Sequence, residues 1–88
     1  MTAAMTEPEV LDLLRQAVAT VLEVDPATLS RSTRFVEDLR ADSLALVEIV
    51  EIVEEDLART RPGFRIDDEH LDDLRTLGDA VDYAVRRL

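Results

Sequence analysis

Residues 42–59 read D-S-L-A-L-V-E-I-V-E-I-V-E-E-D-L-A-R. At roughly 100° per residue, Leu46, Ile49, Val50, Val53 and Leu57 fall on one side, with Glu48, Glu51 and Glu55 opposite. This pattern predicts a helix from about Ser43 to Arg59 with Asp42 as its cap. Its aliphatic side faces a core and its glutamates face water. Leu44 does not fit the core stripe: it falls among the glutamates, and Val47 lies at the margin of the stripe. An apolar anchor inside a glutamate rim suits a docking surface, with charges that set orientation. Single exposed apolar residues also occur with no role. Ser43 is equally open on its own. It reads as part of a helix start, or as a hydroxyl placed where free N–H groups and the helix dipole favour a phosphodiester.

Outward from this helix, the same grammar repeats. Upstream, Thr6-Glu7-Pro8-Glu9 is a capping box with proline in the first turn. Val10, Leu14, Val18, Val21 and Leu22 follow at helical spacing, up to a stop near Glu23 before Asp25-Pro26. Residues 1–5 read as a flexible tail. Residues 24–42 have no period and form a long loop pinned to the core by Leu29, Phe35, Val36 and Leu39. Downstream, Arg61-Pro62-Gly63 ends the central helix. Residues 67–74 are predicted to form a short helix presenting Leu71 and Leu74 inward. Thr76 then caps a last helix with Asp79 in the box position. Leu77, Ala80, Val81, Ala84, Val85 and Leu88 make its apolar face, and Arg86 and Arg87 suit its C-terminal dipole. The expected fold is all-α: a small antiparallel bundle of three longer helices plus one short one, with the long loop between the first and second.

Composition bounds the function. Eighty-eight residues make one domain with a modest core and little room for a catalytic cleft. The chain is 47% apolar, enough to build that core from Leu, Ile, Val and Ala with few aromatics. Ten Arg against twenty Asp and Glu leave a net charge of −10, which disfavours nucleic acid and anionic lipid and favours basic protein partners. There is no Cys, hence no disulfide, thiolate metal site or protein thiol nucleophile. No signal peptide or membrane span is evident, and a cytoplasmic monomer is expected. His70, the only His, lies in an acidic stretch and reads as an exposed surface residue. The carboxylates of 67–73 lack a calcium-loop glycine and read as a solvated face. No catalytic residue and no metal ligand is assigned.

Leu39-Arg40-Ala41-Asp42-Ser43-Leu44 resembles the phosphopantetheine attachment motif of acyl carrier proteins, commonly L-G-x-D-S-L. The likeness continues through Val47-Glu48-Ile49-Val50 and Val53-Glu54-Glu55. It resumes at Ile66-Asp67-Asp68-Glu69 and at Thr76 to Tyr83, and it covers about residues 7 to 88. The resemblance implies an acyl-carrier-like domain over residues 6–88 whose Ser43 carries a covalent 4′-phosphopantetheine. It further implies that acyl intermediates ride on that arm as thioesters and that the chain has no turnover of its own. Implied partners are a phosphopantetheinyl transferase, an acyltransferase or acyl-loading enzyme, a ketosynthase and other enzymes with basic docking patches. Asp42, Leu44, Val47, Glu48, Glu51, Glu54 and Glu55 are the expected docking residues.

Three departures stand out. The motif glycine is Arg40, the acidic residue often found after D-S-L is Ala45, and the stretch between Leu57 and Ile66 is about five residues longer than in compact relatives. They fit polyketide or other specialised biosynthesis better than primary fatty-acid synthesis. A discrete aminoacyl or peptidyl carrier is the nearest rival. An unmodified acidic helical adaptor is the rival of another class.

Overall fold

In the computed structural model, which describes residues 5–88, three α-helices follow in chain order: α1 (Glu7–Leu22), α2 (Ser43–Ala58) and α3 (Leu77–Arg87). A 3-10 turn, Pro26–Thr28, lies in the first connection, and a 3-10 helix, Asp68–Asp73, lies in the second. The short helix expected over 67–74 is thus the tighter kind. Asp67 caps it by accepting the Glu69 N–H at 3.0 Å. The tail assigned to residues 1–5 lies outside the described residues except for Met5, which packs half-buried against the core.

The caps are built as the sequence implies. Thr6 and Glu9 form a reciprocal box at α1, and Thr76 and Asp79 do the same at α3. These side chains satisfy amides that the first helical turn leaves without a carbonyl. Glu9 is held below the ordinary carboxylate range, chiefly by the Thr6 backbone N–H and then by the Thr6 hydroxyl. α1 ends at Glu23, which takes a left-handed conformation with φ 56°. Arg86 and Arg87 occupy the last turn of α3.

α1 packs against both α2 and α3. Val10, Leu14, Ala17 and Val18 of α1 meet Ile49, Val50, Val53 and Leu57 of α2 and Leu77, Val81 and Ala84 of α3 in one core. Val21, Leu22 and Leu46, expected inside, are half-buried at its margin. Leu74 is buried and Leu71 half-buried, so the 3-10 helix does press its leucines inward. Among the described residues no helix is long and apolar enough to cross a membrane.

The loop between α1 and α2 is pinned, though by a different set of contacts. Leu29 and Phe35 are buried and Leu39 is half-buried, but Val36 is 60% exposed. The turn at 35–39 directs Val36 to water, and Ala41 fills the buried place instead. The loop is also stitched to the start of α3 through main-chain groups. Phe35 N–H donates to the Arg75 carbonyl at 3.0 Å, Leu77 N–H to Thr33 at 3.0 Å, and Gly78 N–H to Arg31 at 2.8 Å. Gly78 permits that last approach, because a Cβ there would lie 3.0 Å from the Arg31 carbonyl oxygen.

His70 is not the exposed residue expected. It is half-buried, its Nδ1 lies 2.8 Å from the Tyr83 hydroxyl, and the two rings meet edge-on. The Tyr83 oxygen also accepts the Asp67 N–H at 3.2 Å, which ties the 3-10 helix to α3.

Candidate functional site

The residues that lead into α2 form a closed knot. The Asp38 carboxylate accepts the Arg34 N–H at 2.8 Å and the Arg34 guanidinium at 3.2 Å. The Arg34 guanidinium, and then the Arg34 amide, hold the Asp38 carboxyl below its ordinary range. Three further amides close the turn: Leu39 onto the Arg34 carbonyl, Arg40 onto Val36, and Ala41 onto Phe35. Buried Phe35 anchors the knot in the core. Arg40 pivots the chain towards the helix with φ 55°, a left-handed conformation that a residue with a Cβ adopts at a cost. The glycine usual at that place in the motif would adopt it freely.

Asp42 then caps α2, its carboxylate accepting the Ala45 N–H at 2.8 Å. With Ala45 in the third helical position, no side chain returns the bond, and the cap is half a box. Ser43 is the first residue of α2 and is exposed. Among the described residues no protein group bonds its hydroxyl. The amides of Ser43 and Leu44 point out of the helix end without intrahelical acceptors. An exposed, unengaged hydroxyl at a positive helix end, on a rigidly held turn, fits a covalent phosphodiester.

Beside it, Leu44 is 67% and Val47 38% exposed, with Glu48, Glu51 and Glu55 exposed along the same helix. These five residues and Asp42 therefore share accessible surface running from the helix start. Glu54 is placed otherwise. It is half-buried, and its carboxylate accepts the Ile66 N–H at 2.7 Å, securing the chain where it returns after α2. Phe35, expected as an anchor of the loop, is joined by Arg34, Asp38 and Ala41 in holding the turn before Ser43. Spacing gave no sign of these three, because the Arg34–Asp38 pair sits in a turn with no periodic pattern.

The phosphopantetheine attachment site family matches residues 12–84. An acyl carrier protein of Lactobacillus acidophilus is 34% identical over 79 residues, covering 90% of this chain and 92% of that protein. One of Thermosynechococcus vestitus is 37% identical over 79 residues, covering 90% and 91%. The chain belongs to the acyl carrier protein family. A solved structure of an acyl carrier protein from Enterococcus faecalis superposes with a TM-score of 0.74 at 28% identity, covering 96% of this chain and all of that one. The all-helical bundle with its short extra helix is thus the architecture of the family. Its members are carriers rather than catalysts, and their cofactor is a covalently attached 4′-phosphopantetheine. They work with biosynthetic enzymes and with the transferase that loads them.

Proposed function

We propose that Ser43 is the attachment point and that this chain carries acyl intermediates for polyketide or another specialised biosynthesis. The observation that supports it most is the exposed, unengaged Ser43 hydroxyl at the first position of α2, within D-S-L and with both flanks in register. Phosphopantetheine, once bound, supplies the thiol that this Cys-free chain lacks. The chain's own part is to present the serine. The knot of residues 34–41 holds the turn, Asp42 closes the first turn of α2, and the helix N-terminus favours the phosphate charge.

Partner enzymes dock along α2. Leu44 and Val47 are the apolar anchors, and Asp42, Glu48, Glu51 and Glu55 orient basic patches. Glu54, with its carboxylate committed to Ile66, acts from behind this surface as a support of its shape. The functional unit is residues 6–88. Arg40, Ala45 and the longer stretch after Leu57 support the specialised setting over primary fatty-acid synthesis.

The test is direct. Incubation with coenzyme A, magnesium and a broad-specificity transferase adds one phosphopantetheine by intact mass. Ser43→Ala accepts none while keeping its helical circular dichroism; an arm on that variant would refute the assignment. Intact mass of protein purified from its own host reports the cargo.

A further inference from the structure

Five of the ten arginines of this acidic chain fall in two short stretches: Arg59, Arg61 and Arg65 after α2, and Arg86 and Arg87 at the end of α3. Arg61, Arg65, Arg86 and Arg87 line an open concavity of about 410 Å³ with Phe64 and Leu88, and no acidic side chain lines it among the described residues. Of the five, only Arg59 is salt-bridged among the described side chains, to Asp56 at 3.3 Å. Arg87 stacks over the Tyr83 ring at 4.3 Å, and Arg86 Nε donates to the Asp82 carbonyl. Both contacts leave guanidinium N–H groups free. Elsewhere Arg31 pairs with Asp82 and Glu7 and Arg34 with Asp38 and Glu37, while Arg15, Arg40 and Arg75 stand singly without an ion pair among the described residues. Four guanidiniums sharing one concavity repel one another, even with Asp67 beside Arg65 and Arg87, and Asp73, Asp79 and Asp82 beside Arg86 and Arg87, in the adjoining concavities. The helix dipoles favour Arg86 and Arg87 at the end of α3 and Arg61 beside the end of α2, but not Arg65.

We propose that this groove is a second docking site, for a short acidic segment of a partner protein. Guanidiniums are rigid forks that match carboxylates two bonds at a time, and several spaced around one concavity suit successive Asp or Glu side chains. An extended polyanion surface, such as nucleic acid or an anionic bilayer, would also meet the remainder of a surface whose net charge is −10, and be repelled. A single short segment meets only the groove. The site lies at the far end of α2 from Ser43, about 24 Å along a 16-residue helix. It can therefore hold a partner without covering the attachment serine, and it does not depend on the role of Ser43.

The probe is a fluorescein-labelled octaglutamate peptide titrated into the full chain at low salt, read by anisotropy and by amide shifts in nitrogen-15 NMR. Shifts confined to 61–65 and 86–88 are expected, with 42–48 unmoved. Arg61→Gln/Arg65→Gln should weaken binding about tenfold at unchanged circular dichroism. Each single Gln substitution, made separately, should give a smaller loss in the same direction. Absence of binding, shifts centred elsewhere, or affinity indifferent to every substitution would overturn the proposal. So would displacement of the peptide by inorganic phosphate or phosphatidylserine vesicles at equal charge concentration, which would assign the groove to a phosphate ligand.

Discussion

Replacing Arg40 with glycine should make the protein more stable. At φ 55° any residue with a Cβ carries a steric cost of about 1–2 kcal/mol, which glycine escapes. Glycine in turn loses about 0.5–1 kcal/mol more backbone entropy on folding. The difference leaves a net gain of about 0.5–1 kcal/mol, or roughly 2–8 °C in Tm for a domain of this size. Arg40 is exposed and has no ion pair among the described residues, so little else is lost. The long-range attraction of one cation to an acidic chain is removed by measuring at moderate salt. Arg40→Ala is the control. It deletes the same guanidinium but keeps the Cβ, and its Tm should stay near wild type. Thermal melts and urea titrations of the three proteins separate the backbone effect from the charge effect. If Arg40→Gly is no more stable than Arg40→Ala, the left-handed turn stores no strain and the reasoning fails.

Gly78→Ala should lower stability by about 1–2 kcal/mol in denaturant titrations, because its Cβ meets the Arg31 carbonyl at 3.0 Å and pushes the loop off α3. An unchanged midpoint would mean that the loop gives way freely. Tyr83→Phe removes the oxygen that accepts the Asp67 N–H and pairs with His70, at a cost of about 1–2 kcal/mol, with faster hydrogen exchange at the Asp67 amide as the local readout. For Asp38 the folded pKa lies below its ordinary value, so its contribution is complete above the unfolded value near 3.8 and is lost as pH falls through the lower folded value. The Tm gap between wild type and Asp38→Asn should therefore be constant from neutral pH to about 4 and close below it. A gap that persists in strong acid would show that the carboxylate charge is not what holds the Arg34 turn.

What the sequence made legible was whatever has a local period or a local partner. The α2 stripe of Ile49, Val50, Val53 and Leu57 is buried as its spacing requires, and the boxes at Thr6 and Thr76 form because both halves lie within one turn. Leu44 stood out as misplaced for a core, and it is indeed exposed. The loop was harder. Val36, expected inside, faces water because a tight turn, not hydrophobicity, decides which side chain points inward, and Ala41, for which no place was expected, is buried. The bonds joining residues 31–35 to 75–78 connect main-chain groups, which every residue carries, so only Gly78 marks them, and its role shows only once the loop lies against it. Tyr83 and His70 were hidden for a related reason: each sits outside its neighbours' apolar pattern, and only the folded chain brings the two polar tips together.

Those main-chain stitches have a consequence for how such a domain can diversify. Because carbonyls and amides fasten the loop to α3, most loop side chains are free of that duty, and replacing one leaves the fastening intact. Ser30, Ser32 and Val36 are exposed on a framework whose position is set elsewhere, whereas the Arg31 guanidinium itself pairs with Asp82 of α3 and Glu7 of α1. Drift along a lineage can thus rewrite this surface for a new set of clients while the serine stays at the same point in space. The constraint concentrates instead on small residues such as Gly78, where an added methyl would break the fit, so tolerance and intolerance to change lie side by side on one loop–helix contact.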